Sequence, residues 1–431
     1  MIHLQFARFL IPLALTLIAQ GFSSQFLTGG MARLPQATQV LAAYGVAWGL
    51  ADFLASPLSQ INQLSLVLAA SHPARRQIQR FALMGGACLA LLLASLAFTP
   101  LGDWVIYRGH GLNAEVGQSV RRALFWLVPI PICEGINRSL AGLLMRARRT
   151  EVISYATLAS IGASIAAVFA LLPTGLVREE PMSLPLLVAY TGITVYMGVL
   201  FWGYRRWVAP GLAPEGEAPA LDYLFRFFWP LALVMAIQGL SRPLINFFVA
   251  RGPEGQESLA VLAVVYSLAH LPYGWVNEVR SLAPAFQGEP GSLYHVRRFA
   301  AGCGLLSFSI MVLAFWSPLR GFILGHMLGL DPVLAGRCQW PLFLFSFFPL
   351  AVALRAYFHG VALIEHRTRA LAPSAPARIG IIWAVMMILP ASVPGATRGI
   401  AALLSGFVLE AAVVWWGVRG GAYLAKWRKS T

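Results

Sequence analysis

Long apolar runs alternate with short polar segments along the whole chain. Each run is close to the roughly 20 apolar residues that a helix needs to cross a bilayer. The pattern therefore predicts an all-α protein with about twelve transmembrane helices, six in each half. In the first half the spans are roughly 6–29, 38–70, 80–99, 118–145, 152–173 and 184–203. In the second half they are roughly 224–249, 258–286, 298–316, 337–363, 372–391 and 398–420.

The two halves also repeat one another in sequence. Arg8-Phe9 recurs as Arg226-Phe227, a shift of 218 residues (226 − 8 = 218), and Pro12-Leu13-Ala14-Leu15 recurs as Pro230-Leu231-Ala232-Leu233. The same ungapped shift matches positions in five hydrophobic segments, so we expect two structurally alike halves. An even number of spans per half gives both halves the same orientation, related by a pseudo-two-fold axis along the membrane normal.

One loop separates the two halves. The segment 204–222 is the only loop rich in Pro, Gly and Glu, which marks a boundary. We therefore predict an N-lobe at 1–203, a linker at 204–222 and a C-lobe at 223–431. Duplicated halves in a very apolar chain are typical of transporters, which bind substrate where the repeats meet.

Composition places the chain in a membrane. Apolar residues make up 58% of the chain, charged residues only 11%, and the mean hydropathy is +0.69. A soluble chain has about 25% charged residues, so we expect a multi-pass protein of the cell's inner membrane. The formal net charge of +15 comes almost entirely from arginines at segment ends. By the positive-inside rule they place both termini in the cytoplasm, and without a soluble basic domain they do not indicate nucleic acid.

The chain shows no pattern for a metal or cofactor. Cys88, Cys133, Cys303 and Cys338 lack the CxxC or CxxH spacing of metal sites and disulfide frameworks. No arrangement of nucleophile and base and no phosphate-binding Gly loop is present. We expect no cofactor, no catalytic residues and a monomer, with the bilayer and a small solute as partners.

Several predicted spans contain proline, which bends a helix and frees a carbonyl. Pro12 and Pro230 lie in the first span of each half, and Pro131 and Pro349 lie in the fourth. Because these bends recur in both halves, we predict that the four prolines are hinges for opening and closing.

The strongest functional signal is the set of ionisable side chains inside the spans. Burying a charge at bilayer depth costs at least about 2.5–3.5 kcal/mol, so such a group normally faces a cavity or a partner. On the eighth span, the residues from His270 to Arg280 recur at helical spacing and predict one polar stripe along one face. We predict a substrate-binding set on four spans of the second half: Arg242, Asn246, His270, Tyr273, Asn277, Arg280, Arg355, His359, Ser374 and Arg378.

The charge of this set indicates an anionic substrate. Glu278 is the one carboxylate that we expect near the four arginines, and one carboxylate cannot neutralise four guanidinium groups. Guanidinium matches phosphate or carboxylate oxygens in bidentate fashion. The alternative for any single arginine is that it reaches a headgroup or another helix.

The first half is less charged. Gln20, Gln25, Gln60 and Asn62 are predicted to line the opposite wall of the cavity. The repeat places Asp52 opposite His270, where either side chain could carry a coupled proton. Glu134 and Arg138, spaced i and i+4, are read as an internal structural ion pair.

Several runs resemble the progressive ankylosis protein family. The similarity is carried by Phe228-Trp229-Pro230-Leu231-Ala232-Leu233, Ser241-Arg242-Pro243, His270-Leu271-Pro272-Tyr273-Gly274-Trp275, Phe345-Ser346-Phe347-Phe348-Pro349 and Leu371-Ala372-Pro373-Ser374. The resemblance implies the two-lobed fold of the multidrug/oligosaccharidyl-lipid/polysaccharide flippase superfamily, which is the MATE-like fold. It also implies export of inorganic pyrophosphate, citrate or nucleoside triphosphate, and the family's arginines fall on Arg242, Arg280, Arg355 and Arg378. Arginine usage and short loops are similar to those of bacterial members.

We therefore expect an alternating-access exporter of small polyvalent anions and no enzyme. The alternative within the same superfamily is a flippase for lipid-linked precursors or a multidrug exporter. A cation exporter would need surplus acid in its cavity, and a membrane enzyme for phosphate esters would need a base or clustered acids.

Overall fold

The computed structural model describes residues 2–34, 36–109, 113–252, 254–390 and 392–430, without the side chains of 21–25, 109 and 420–430. These residues are almost entirely helical, and the described ranges hold no strand beyond one isolated bridge between Ser71 and Ala213. The predicted all-α fold class is therefore confirmed.

The described ranges contain twenty α-helices. Those of the first half are α1 (Ile2–Met31), α2 (Ala37–Ala55), α3 (Ile61–Leu68), α4 (His72–Phe98), α5 (Pro100–Asp103), α6 (Ala114–Leu127), α7 (Ile130–Arg146), α8 (Thr150–Leu171), α9 (Gly175–Glu179) and α10 (Ser183–Gly203). Those of the second half are α11 (Leu221–Ala250), α12 (Gly255–Tyr273), α13 (Leu282–Ala285), α14 (Ser292–Trp316), α15 (Leu319–Gly321), α16 (Pro332–Arg337), α17 (Gln339–Phe345), α18 (Phe348–Ile364), α19 (Ser374–Ile388) and α20 (Gly395–Ser430). Short 3-10 helices and π-helices extend several of them.

Eleven segments of the described chain are long and apolar enough to cross a membrane. The remaining predicted span, 118–145, consists of two shorter helices, α6 and α7, of 14 and 17 residues. Large apolar side chains such as Leu91, Leu313 and Trp416 are mostly exposed, as expected where lipid replaces water around a protein.

The chain forms two compact units. The N-unit is Ile11–Phe228, and the C-unit is Met1–Leu10 together with Trp229–Thr431. In the N-unit, Leu93, Ile106 and Leu124 are completely buried in an apolar core. The predicted lobes 1–203 and 223–431 with a linker at 204–222 remain a prediction of the domain organisation.

The C-unit has an aromatic core. Phe345 and Phe348 are stacked with their ring centroids 4.0 Å apart. Phe407 lies 5.0 Å from Phe348, and Tyr273 lies 5.8 Å from Phe345. The first residues of the chain join this unit through Phe6, whose ring is 4.8 Å from that of Phe286.

The backbone repeats with the shift found in the sequence. Both ends of α2 and α12 are 218 residues apart (255 − 37 = 218 and 273 − 55 = 218). Helices α7 and α18 also match at both ends, as do the π-helices Trp104–Gly109 and Phe322–Met327. The two halves therefore share their helix boundaries as well as their sequence pattern.

Even the unusual backbone angles are repeated. Gln36 and Glu254 both have φ of 57°, and Arg148 and His366 have φ of 57° and 54°. Non-glycine residues rarely adopt this left-handed conformation. Each of these residues lies just before a helix or at a tight turn between two helices, so the turns that direct the chain are the same in both halves.

The second span of each half changes its helical pitch at the same place. α2 continues as the 3-10 helix Ser56–Gln60, and α12 continues as the 3-10 helix Gly274–Ser281. The expected α-helical stripe from His270 to Arg280 is wrong in this respect, because the α-helix ends at Tyr273 and the remaining residues follow a tighter helix.

These broken segments pack closely against the fourth span of the same half. A Cβ atom on Gly142 would lie 2.2 Å from the Asn62 carbonyl oxygen, and one on Gly360 would lie 2.8 Å from the Arg280 carbonyl oxygen. Both glycines therefore let α7 and α18 approach a neighbouring backbone. The two contacts are equivalent under the 218-residue shift.

We expect Gly142→Ala to lower the thermal stability of the purified protein, because the new methyl group forces α3 and α7 apart. Overpacking of this kind costs about 1–3 kcal/mol. Gly162→Ala in α8 is the matched control, since no atom lies within 4 Å of its Cβ position. A thermal-shift measurement in detergent that gives both variants the same melting temperature would contradict the contact.

Candidate functional site

Two arginines and one glutamate form a buried ion-pair network in the C-unit. Oε2 of Glu410 accepts hydrogen bonds from Nη1 of Arg355 at 3.0 Å and from Nη1 of Arg378 at 2.8 Å. Glu410 is 0% exposed, Arg355 6% and Arg378 4%. Since removing a charge from water is costly, the three groups stabilise one another in place.

Neighbouring side chains complete the network. Oε1 of Glu410 accepts a hydrogen bond from Nε2 of Gln238 at 2.6 Å. Nη2 of Arg355 donates to Oδ1 of Asn277, whose amide donates in turn to the Gly274 carbonyl at 2.9 Å. The Asn277 side chain thus connects the network to the 3-10 helix Gly274–Ser281.

An aromatic ring also holds the two guanidinium groups. The Phe407 ring centroid lies 4.0 Å from Cζ of Arg378 and 5.2 Å from Cζ of Arg355. Phe407 and Glu410 are one turn apart on α20, so one face of this helix supplies both the π surface and the carboxylate.

Glu410 corrects one expectation drawn from the sequence. Glu278 is not the sole carboxylate near the arginines, because Glu410 binds two of them directly. Glu278 lies 4.0 Å from Arg280, and both side chains are 17% exposed. Glu410 thus pairs with Arg355 and Arg378, and Glu278 with Arg280, so these four arginines and two carboxylates have a formal sum of two positive charges (4 − 2 = 2).

Glu410 gave little signal in the sequence. It lies 55 residues from Arg355 and 32 from Arg378, in an apolar run without a polar neighbour. Burying a charge in the bilayer is costly for an acid as well as for an arginine. The position of Glu410 inside the apolar span 398–420 is therefore a sequence signal for a functional residue.

Arg242 is the exposed member of the arginine set. Its Cζ lies 4.7 Å from the centroid of the Tyr266 ring. In the described part of the chain, no carboxylate lies within 4.0 Å of its guanidinium nitrogens. Asn246, one turn further along α11, is half-buried, and its Oδ1 has no hydrogen-bond partner among the described residues.

The remaining predicted residues connect these arginines. Tyr273 is buried and lies within electrostatic range of Arg242, Arg355 and Arg378. His359 is buried within range of Arg355, Arg280 and Glu410. All four arginines therefore belong to one electrostatically connected group within the C-unit.

Two predicted residues have a less direct place in the group. His270 is exposed, lies within electrostatic range of Arg242, and its ring is 5.4 Å from that of Tyr273. Ser374 is buried, and its hydroxyl donates to the Leu371 carbonyl at 2.7 Å. The Ser374 hydroxyl hydrogen is therefore already engaged in a local hydrogen bond at the start of α19.

The N-unit contains a cavity of about 540 Å³. Gln20 lines it, and so do Glu134 and Arg138, whose side chains form the predicted ion pair at 2.5 Å. The wall is otherwise mostly apolar and hydroxylated. The prediction for Gln25 concerns a side chain outside the described residues.

Asp52 extends this acidic side of the N-unit. It lies within electrostatic range of Glu134 and Arg138, so two carboxylates accompany one guanidinium group. Gln60 and Asn62 are both buried, and the Gln60 amide donates to the Ser59 hydroxyl at 3.2 Å. Oδ1 of Asn62 has no hydrogen-bond partner among the described residues.

The four predicted hinge prolines occupy two kinds of position. Pro12 and Pro230 lie inside the continuous helices α1 and α11. Pro131 and Pro349 lie in the first turn of α7 and α18, where a proline is well tolerated. The fourth span of each half is therefore divided just before its proline.

Within the described ranges, no group of three or more His, Cys, Asp or Glu side chains is arranged to hold a metal ion. The four cysteines are free thiols.

The chain is similar to solved transporter structures over nearly its whole length. A MOP superfamily transporter from Pyrococcus furiosus is 13% identical with a TM-score of 0.67, covering 96% of this chain and 94% of that one. The eukaryotic MATE transporter AtDTX14 is 14% identical with a TM-score of 0.69, covering 99% and 95%. The Vibrio cholerae MATE transporter VcmN is 12% identical with a TM-score of 0.69, covering 97% and 96%. Identities this low carry information on the fold, which is the MATE fold.

A protein-family model classifies the chain more narrowly than the shared fold does. The model described as progressive ankylosis protein (ANKH) matches residues 2–317 of the 431-residue chain. The matched range includes Arg242, His270 and Arg280, while Arg355, Arg378 and Glu410 lie beyond it. Together with the fold, this match makes the protein a multi-pass membrane transporter that belongs to the progressive ankylosis protein family.

Proposed function

We propose that this transporter exports small polyvalent anions, such as inorganic pyrophosphate, citrate or nucleoside triphosphate, by alternating access. The observation that supports the proposal most directly is the charge of the C-unit group. Arg242, Arg280, Arg355 and Arg378 carry four positive charges, and Glu278 and Glu410 carry two negative ones. A bound anion would neutralise the remainder, which is otherwise costly in a medium of low dielectric constant.

Within this group, Arg242 is the residue best suited to make the first contact with the anion. Arg355 and Arg378 already donate to Glu410, whereas Arg242 is exposed and contacts a tyrosine ring. The Arg242 guanidinium also hydrogen-bonds the Tyr273 side chain, and its remaining N–H groups are available to phosphate or carboxylate oxygens because a guanidinium carries five. Asn246 is one turn away on the same helix and would supplement it.

The proposal extends to energy and orientation. We infer an inner-membrane monomer with both termini in the cytoplasm, on the basis of the arginine distribution between loops. An inside-negative potential supplies about 2.3 kcal/mol per charge per 100 mV, so the exit of a trivalent anion gains about 7 kcal/mol. The membrane potential alone is then sufficient to drive export.

Proteoliposomes loaded with radiolabelled pyrophosphate or citrate test this proposal. We expect efflux to accelerate when the interior is made negative with a potassium–valinomycin gradient, because each exported charge moves down the potential. Protein-free liposomes and an uncharged solute are the controls. Efflux of every tested anion that ignores the imposed voltage would refute the proposal.

The role of Arg242 can be tested by comparing two variants on the same helix, α11. We expect Arg242→Gln to raise the half-saturating anion concentration about tenfold, since hydrogen bonds to charged groups contribute about 1.5–3 kcal/mol. Arg226→Gln is the matched control, because Arg226 is exposed at the start of α11 and pairs with Asp222 at 2.6 Å. An equal increase in both variants would remove Arg242 from the site.

A second proposal concerns coupling in the N-unit. Two carboxylates, Asp52 and Glu134, face one guanidinium group, Arg138, and this excess of acid is suited to a proton that accompanies transport.

For this coupling we expect transport to respond to an imposed pH gradient in the parent protein and to lose that response in Asp52→Asn, while voltage-driven flux persists. Asp103→Asn serves as the control, since Asp103 forms a partly exposed ion pair with Arg121 at 3.0 Å. A response to the pH gradient that survives in Asp52→Asn would exclude Asp52 as the coupling residue.

A further inference from the structure

The internal repeat allows the buried ion-pair network to be compared with its counterpart in the same chain. Under the 218-residue shift, Glu410 corresponds to Gly192 (410 − 192 = 218), Arg355 to Asn137 and Arg378 to Ser160. Gln238 corresponds to Gln20, so the glutamine is the one member of the network that is the same in both halves. The three charged positions of the C-unit are thus uncharged in the N-unit.

The fold does not need these charges to pack its helices. In the N-unit, α8 and α10 pack against each other as α19 and α20 do in the C-unit. A Cβ on Gly192 would lie 2.6 Å from the Ser164 hydroxyl and 3.3 Å from the Ser160 hydroxyl, so small residues make this contact. A buried ion pair is often no more stabilising than a neutral replacement. The network in the C-unit is therefore better explained by its charge than by packing.

The network also keeps donors that Glu410 does not occupy. Nε of Arg378 and Nε2 of His359 are buried and have no hydrogen-bond partner among the described residues. Nη2 of Arg355 points to Asn277 on the 3-10 helix that also carries Arg280. Glu410 thus binds one side of each guanidinium group, and Nε of Arg378 remains without a hydrogen-bond partner among the described residues.

We propose that Glu410 is a specificity-determining residue that sets how many negative charges the transported anion carries. This inference rests on the proposed anion transport. Glu410 offsets one of the two guanidinium charges that it binds. Removing its charge makes the C-unit group more positive by one unit, which favours anions of higher charge.

Two pairs of chemically related anions measure this effect. Tricarballylate is glutarate with one additional central carboxylate, so the two differ by one charge on the same carbon chain. Pyrophosphate and phosphate form the second pair. Affinities are measured at constant pH and ionic strength by calorimetric titration of the full-length protein in detergent.

We expect Glu410→Gln to raise the ratio of affinities, higher-charged over lower-charged anion, about tenfold relative to the parent. This is the size expected for one added charge at roughly 10 Å in an effective dielectric constant of about 20. Glu365→Gln is the matched control, because Glu365 is an exposed carboxylate at the end of α18 that pairs with Arg367 at 3.6 Å. Its ratio is expected to equal that of the parent.

Two further variants separate charge from structure. Glu410→Asp keeps the negative charge and should keep the parent ratio, even if its shorter side chain lowers the melting temperature. The double variant Arg378→Gln with Glu410→Gln removes one positive and one negative charge, so its ratio should return to the parent value.

The outcomes distinguish a failure of the specificity role from a failure of anion transport. If the parent binds none of the four anions, the proposed anion transport fails, and this inference fails with it. If the parent binds them and Glu410→Gln leaves the ratio unchanged, the specificity role alone is refuted. A ratio in Glu410→Asp that shifts as far as in Glu410→Gln would also refute it, because the effect would then follow geometry instead of charge.

Discussion

One carboxylate oxygen in the C-unit accepts hydrogen bonds from two arginines, and the candidate site depends on this arrangement. Neither guanidinium group is stable at that depth without a partner, because a charge inside the bilayer costs at least about 2.5–3.5 kcal/mol. Glu410 offsets the cost for Arg355 and Arg378 together. Phe407 and Gln238 then fix the orientation of all three groups.

The two halves use the same framework for different electrostatics. The C-unit group combines four arginines with two carboxylates, whereas the N-unit group combines Asp52 and Glu134 with Arg138. The formal charge is therefore positive in the first group and negative in the second.

Much of the fold was predictable because its signals are periodic or repeated. Apolar runs of the length of a bilayer predicted the spans, and the 218-residue shift predicted helix boundaries that the structure reproduces in α2 and α12. The change of pitch after Tyr273 was not predictable from spacing alone, since apolar spacing does not separate an α-helix from a 3-10 helix over two turns. The fourth predicted span, 118–145, is not one helix, because the chain breaks near Pro131 into α6 and α7.

The arginines of the candidate site were predictable from the sequence, but the carboxylate of Glu410 was not. Four arginines fall inside apolar spans, which identifies them as candidates, and Tyr273 lies near three of them. Glu410 stands alone in its span, and its repeat partner is a glycine, so neither spacing nor the repeat pointed to it. The partner of Arg355 could be found only once the chain had been folded, because α18 and α20 meet through tertiary packing.

The matched left-handed turns at Gln36 and Glu254, and at Arg148 and His366, concern the origin of the chain. Such turns are energetically costly for residues with a side chain, and their recurrence at one fixed interval indicates duplication of an ancestral gene of half this length. After that event the geometry was conserved while the chemistry diverged, and a glycine in one copy corresponds to the buried acid of the other. The N-unit therefore packs the corresponding helices without the buried acid that the C-unit carries.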